Sequence, residues 1–184
     1  VLGYGTPSLV RSDDGGETWA PTSLDISWAT SFAIHPDMPS IMYVGGSSGT
    51  VWWSNDGGES WTAAELLRPD GEGTYARHIL PDSLNPSHAW AHSAFRLFKT
   101  ENGGVTWDLV FDPEDGGIGF KAPIVRLDDN SLVITNESVG LYRSTDEAES
   151  WTSINLVPAG TDLVETSDGL LVSTEESGVW RVHL

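Results

Sequence analysis

The chain has 184 residues, no cysteine, and 27 acidic against 9 basic side chains, a formal charge of −18. The length suits one domain, 1–184, with a genuine core, and the charge excludes nucleic acid and anionic membrane as natural partners. The absent cysteine rules out a disulfide framework, and no apolar run is long enough to insert as a membrane helix.

In chain order every predicted element is a strand. The first two cover residues 2–5 and 8–12. The second runs into the turn Ser12-Asp13-Asp14-Gly15-Gly16-Glu17-Thr18-Trp19, and a strand over 18–21 leaves it. Strands 31–35, 42–45, 50–54 and 60–64 follow, with Ser54, Asp56, Gly58 and Trp61 between the last two. Strands 77–80, 89–92, 96–100 and 106–111 repeat the order around Thr100, Asn102, Gly104 and Trp107. Strands 124–127, 132–135, 140–144 and 150–155 do so around Ser144, Asp146, Ala148 and Trp151. A last set, 162–165, 170–173 and 179–182, has no such turn after it. The strands are short, rich in β-branched and aromatic residues, and bounded by Gly, Asp, Asn, Pro and Ser. No segment carries a helical period.

The turn recurs at 12, 54, 100 and 144, steps of 42, 46 and 44 residues. A period of that size means one four-stranded unit repeated, the pattern of a β-propeller. The repeats fall at about 1–21, 31–64, 77–111, 124–155 and 162–184. That arrangement predicts about five blades, three complete and two incomplete, or a portion of a larger propeller. Incomplete terminal blades expose strand edges and invite self-association. Within each turn the acidic or amide residue accepts hydrogen bonds from its own backbone, Gly supplies a conformation that Cβ penalises, and Trp packs over the turn. These positions are therefore read as structural. Calcium is the rival where Asp13, Asp14 and Glu17 crowd together, but one copy alone has that crowding.

The four turns resemble the Asp-box, or BNR, repeat of sialidases, sortilin-type receptors, family 74 xyloglucanases and photosystem assembly factors. Phe32-Ala33-Ile34-His35-Pro36-Asp37 with Ile41-Met42-Tyr43-Val44-Gly45-Gly46 looks like the inner-strand pair of the sortilin and xyloglucanase type. His78-Ile79-Leu80-Pro81-Asp82 with Ala89-Trp90-Ala91 repeats it. The resemblance implies an all-β propeller in an extracellular or periplasmic setting. It is weak for activity, because hydrolases, receptors and assembly factors share the repeat.

Chemistry is expected on the face that holds the longer loops, 22–29, 65–75, 112–123 and 157–160, since long loops on a rigid scaffold carry binding. The candidate carboxylates there are Asp70, Glu72, Asp112, Glu114, Asp115 and Glu137, any two of which on neighbouring loops could serve as acid and base on a glycosidic bond. Trp28, Tyr75, Arg77, Phe120, Lys121, Glu175 and Glu176 are the candidate binding residues, aromatic platforms and polar groups that suit a protein or a glycan. The bland alternative is a solvated acidic loop set, and salt adaptation or cation binding would equally use the acidity. A sialidase reading is disfavoured because Arg11, Arg96, Arg143 and Arg181 fall on third strands and the net charge repels sialic acid. No metal or cofactor is expected: His88 and His92, on one strand, lie roughly 13 Å apart at about 3.3 Å per residue. His35 and His78 are read as equivalent, both just before an inner turn and both structural.

The sequence thus predicts a binding or scaffold propeller for a protein or glycan, with a glycoside hydrolase of the xyloglucanase or sialidase-like type as the alternative.

Overall fold

The computed structural model describes residues 9–67, 74–93, 96–112, 123–136, 140–154, 160–174 and 177–183. Seventeen strands and no helix occupy them. In chain order they are β1 Val10–Arg11, β2 Ala20–Pro21, β3 Ala29–Ile34, β4 Met42–Gly46, β5 Thr50–Ser54, β6 Thr62–Glu65, β7 His78–Pro81, β8 Ala89–His92 and β9 Leu97–Thr100. Then follow β10 Asp108–Phe111, β11 Val125–Arg126, β12 Leu132–Asn136, β13 Gly140–Ser144, β14 Thr152–Ile154, β15 Gly160–Thr166, β16 Gly169–Thr174 and β17 Gly178–Val182.

The sheets are consecutive meanders: β1-β2, β3-β4-β5-β6, β7-β8-β9-β10, β11-β12-β13-β14 and β15-β16-β17. The pairings whose register is defined are antiparallel. This is the all-β propeller class that the repeat period predicts, with three four-stranded blades and two smaller sheets at the ends. The strand expected over 2–5 lies outside the described residues. Strands 50–54, 89–92 and 140–144 match the expected bounds residue for residue. The innermost strands β3 and β11 depart from the expected bounds. β3 starts at Ala29, two residues early, because Ala29 pairs with Gly46 across a bulge. β11 keeps two of four expected residues.

The chain divides into two compact units, Val1–Ser93 with Phe98–Leu109, and Ala94–Leu97 with Val110–Leu184. Each has its own apolar packing. In the first, Tyr43 and Val51 of one blade meet Ile79, Ala89, Ala91 and Phe98 of the next. Leu9, Leu24 and Ile26 pack on Val44 at the N-terminal side. In the second, Val133 and Leu141 pack against Leu163, Leu170, Val172 and Val182. The alternation of strand side chains produces this: within each unit one face of a sheet packs on the neighbouring sheet.

All four recurrent turns close in one way. The first hydroxyl, Ser12, Ser54, Thr100 or Ser144, accepts from the backbone N–H four residues on, at 2.7 to 2.9 Å. The third residue, Asp14, Asp56, Asn102 or Asp146, accepts from the N–H four residues on, at 2.9 to 3.0 Å. In three copies the carboxylate also takes the hydroxyl of Thr18, Ser60 or Ser150. In the third copy the polarity reverses, and the Asn102 amide donates to Thr106 Oγ1 at 2.8 Å. Glu147 and Ala148 occupy the glycine positions of the fourth copy with φ of 60° and 75°, so that turn keeps its shape without glycine. Trp19 and Trp61 donate back to the carbonyls of Gly16 and Gly58. Both Asp14 oxygens are engaged inside the turn, and Asp13 pairs with Arg11 at 2.7 Å, so these two acids of the first copy have local partners.

Candidate functional site

The loop face of the first unit is built on one buried residue, Ala76. Its carbonyl accepts from Thr30 Oγ1 at 2.7 Å and Ser31 Oγ at 2.8 Å, and its N–H donates to the Gly46 carbonyl at 3.4 Å. Arg77 N–H donates to the His92 carbonyl at 2.9 Å. The corner leading into β7 is thereby fastened to the start of β3 and the end of β4. The approach is close enough to exclude a side chain: a Cβ on Gly45 would stand 2.7 Å from the Ala76 carbonyl oxygen.

Three of the predicted binding residues flank this fastening. Trp28 precedes β3 and is 56% exposed, while Tyr75, next to Ala76, is 53% exposed. Arg77, on the other side of Ala76, is exposed as well. Trp28 adopts φ of 67°, a left-handed conformation that penalises a bulky residue and that clusters at functional positions. Two exposed aromatic residues and an exposed arginine thus stand in the chain next to the residues that make this fastening.

Arg77 stands apart from the other described cations. Arg11 pairs with Asp13, Arg96 with Asp112 at 3.0 Å, Lys99 with Glu101 at 2.7 Å, Arg143 with Asp129 and Arg181 with Asp168 at 3.6 Å. Arg126 forms a bidentate pair with Glu147 at 3.1 and 3.0 Å. Among the described residues Arg77 alone has no carboxylate partner. The four third-strand arginines that the sialidase reading weighed are each held by an acid of their own sheet or turn.

Of the candidate catalytic carboxylates, Asp112 is described. It is 33% exposed and accepts from Arg96 Nε, which makes it an anchored ion pair. Asp70, Glu72, Glu114, Asp115 and Glu137 lie outside the described residues, as do Phe120, Lys121, Glu175 and Glu176.

The histidine equivalence needs correction. His35 N–H donates to the Ile41 carbonyl, and the matching bond in the next blade runs from Asp82 N–H to the His88 carbonyl. Asp82, not His78, is therefore the counterpart of His35. Both cap the inner turn: His35 Nδ1 accepts from Asp37 and Met38, and Asp82 Oδ1 accepts from Leu84. His78 lies instead within β7 opposite His92, the rings stacked 5.7 Å apart.

Sequence reasoning also missed a groove of about 570 Å³ on the side of the recurrent turns. Phe32, Ile34 and Met42 line it with Trp19 and Trp61. The two Trp positions read as structural because each covers its turn, and they do, yet Trp19 remains half exposed. The alternation of β3 already sets Phe32 and Ile34 on one face, but their exposure depends on the neighbouring sheet.

No family model matches the chain. It is 25% identical to a xyloglucanase of Paenibacillus sp. over 185 residues, 94% of this chain and 16% of that protein. It is 28% identical to the xyloglucanase Xgh74A of Acetivibrio thermocellus over 163 residues, 83% and 17%. It is 25% identical over 206 residues to the photosystem II assembly lipoprotein Ycf48 of Synechococcus sp., spanning all of this chain and 59% of that one. Among solved structures, a GH74 enzyme of Niastella koreensis superposes with a TM-score of 0.62 at 19% identity, covering 79% of this chain and 26% of that one. Ycf48 bound to a D1 peptide gives 0.61 at 16%, covering 84% and 52%. The chain thus spans about a sixth of the xyloglucanases and about three fifths of Ycf48.

Proposed function

We propose that this chain is a non-catalytic binding propeller of the Asp-box, sortilin and family 74 kind, forming one domain, that holds a protein or glycan partner on its long-loop face. The observation that carries the reading is the set Trp28, Tyr75 and Arg77. Two exposed rings on fastened corners offer stacking area with little conformational freedom to lose, and the unpaired Arg77 offers a directed charge to a polar or anionic group of the partner. The Ycf48 structure, solved with a peptide bound, supports a protein partner. An exported setting accords with the lipoprotein relative. Neither nucleic acid nor metal enters the reading.

A second reading follows from the xyloglucanase relatives: a glycoside hydrolase lobe, with carboxylates of the loop face as acid and base. The Arg96–Asp112 pair weighs against it, since the carboxylate oxygen that accepts from Arg96 Nε is committed to that contact.

One experiment separates the two. The chain is applied to a glycan array and a peptide array, and xyloglucan is incubated with it while reducing ends are counted. Binding without hydrolysis, weakened about tenfold or more in Trp28→Ala and Tyr75→Ala, supports the binding module. Hydrolysis that Asp112→Asn abolishes establishes the enzyme, and binding unchanged in both aromatic variants removes the proposed face.

A further inference from the structure

Asn102-Gly103 is the one Asn-Gly pair of the sequence, and it stands in the third recurrent turn, where the other copies carry Asp14, Asp56 and Asp146. Such a pair has a chemistry of its own. The Gly103 nitrogen can attack Asn102 Cγ, and glycine, with no Cβ, leaves that approach unhindered. A bond forms between the nitrogen and Cγ, and the nitrogen's proton leaves with the side-chain amide as ammonia. Water then opens the cyclic imide and returns a proton to the nitrogen. Attack at Cγ breaks the new bond and leaves aspartate at position 102. Attack at the backbone carbonyl carbon breaks the original peptide bond and leaves an isoaspartyl link. Either route consumes one water, releases one ammonia and adds one carboxylate.

Asn102 is exposed, so water reaches it. The folded turn nevertheless holds the reacting atoms. Gly103 N–H donates to the Ser87 carbonyl at 2.8 Å. Asn102 Nδ2 donates to Thr106 Oγ1 at 2.8 Å, while Oδ1 accepts from Thr106 N–H at 2.9 Å and from Thr100 Oγ1 at 3.0 Å. Attack requires the nitrogen to release Ser87 and the amide to swing away from Thr106.

The place also suits one of the two products. Asp14, Asp56 and Asp146 each accept there from a backbone N–H and from the hydroxyl of Thr18, Ser60 or Ser150. Aspartate at 102 needs only that the Thr106 hydroxyl turn round and donate. An isoaspartyl link lengthens the main chain by one carbon just before Gly103. It would draw Gly103 N–H from Ser87, and Gly104 N–H from Thr100 Oγ1, which accepts it at 2.9 Å.

We propose that Asn102 is a deamidation site that the folded turn keeps closed, and that the fold accepts the aspartate formed there. Modification proceeds through openings of the turn, so its extent records how often the turn has opened. The site is separate from Trp28, Tyr75 and Arg77 and does not depend on what they bind.

The test incubates the 184-residue chain at neutral pH, in native buffer and in concentrated guanidinium chloride. Peptide mapping by mass spectrometry locates the gain of a carboxylate and distinguishes aspartyl from isoaspartyl linkages. We expect conversion at Asn102 to be about tenfold or more slower in the native chain, the protection that local opening sets. Thr106→Val removes the acceptor of Nδ2 at an exposed position, and circular dichroism verifies its fold. It should speed native conversion and leave the rate in guanidinium unchanged. Asn102→Asp should keep the wild-type urea midpoint at neutral pH. Equal native and denatured rates in the wild type overturn the proposal, as does an Asn102 that stays intact in guanidinium. A Thr106→Val chain that converts at the native wild-type rate overturns it too, and a lowered midpoint in Asn102→Asp overturns the fit of the product.

Discussion

Asp146 shows how a carboxylate outside the core can be an architectural group. The Ser150 hydroxyl holds it to about 2, helped by the Ser150 N–H and the Ser144 hydroxyl. Asp14 and Asp56 are driven well below the usual carboxylate range by the same arrangement, with Thr18 and Ser60 as the leading donors. Each donor favours the charged form, so each turn is strongest when its carboxylate is ionised. A group whose folded pKa lies below its unfolded value of 3.8 stabilises the fold above that value. The contribution is lost as pH falls from there through the folded values. Asn102 shows the neutral alternative, since its amide donates to Thr106 and does not titrate. Replacing Asp14, Asp56 and Asp146 together by Asn should therefore flatten the fall in urea midpoint between about pH 4 and pH 2, with the fold retained. An unchanged slope in the triple variant would refute the assignment.

At the scale of the strand and its corner, the decisive contact is the approach of β4 to Ala76. A methyl group at Gly45 would meet the Ala76 Cβ and carbonyl oxygen at 2.7 Å, and neither is the end of a flexible side chain. Gly45→Ala should cost about 1–3 kcal/mol, the usual range for overpacking. It should also weaken any ligand held by Trp28 and Tyr75, because the corner that spaces them would move. Urea unfolding and ligand titration of the same variant test both halves. A loss of stability with unchanged affinity would separate the corner from the site. This contact marks the boundary of what the sequence reveals. The recurrent turns are legible because their bonds join residues two or four apart, and the strands between them follow from alternation. Gly45 reads as an ordinary strand glycine, since the residue it makes room for is 31 positions away. The histidine error has a related origin. Each inner segment contains two prolines, and matching Pro36-Asp37 to Pro81-Asp82 shifts the alignment. The hydrogen bonds match Pro39 to Pro86 instead. Trp28 and Tyr75 were legible as loop residues, and Arg77 as the first residue of an expected strand, each of a chemistry that suits binding. That the first two sit on corners tied through one carbonyl was not.

For the molecule as a whole, charge is the property that local geometry does not absorb. Six described cations are already matched to acids, yet 27 acidic residues face only 9 basic ones. The unmatched carboxylates repel one another across a compact surface, and the unfolded chain relieves that repulsion by expanding. Salt shortens the range of the repulsion to about 10 Å at 0.1 M and 3 Å at 1 M. It also weakens the exposed ion pairs, but these contribute little individually. Repulsion therefore dominates, and sodium chloride should raise the melting temperature, at roughly 2–4 °C for each kcal/mol of repulsion screened. Calorimetry across a salt series tests this, with calcium chloride at matched ionic strength alongside. Equal gains in the two salts assign the effect to screening. A larger gain with calcium at micromolar concentrations assigns the acidity to a cation site. A melting temperature that falls with salt would mean that the ion pairs outweigh the excess charge. The same repulsion governs recognition, because a partner approaching the Trp28 corner meets a strongly negative molecule first. Association with a basic partner should accordingly slow as salt rises, even where the contacts that hold it are aromatic or main-chain.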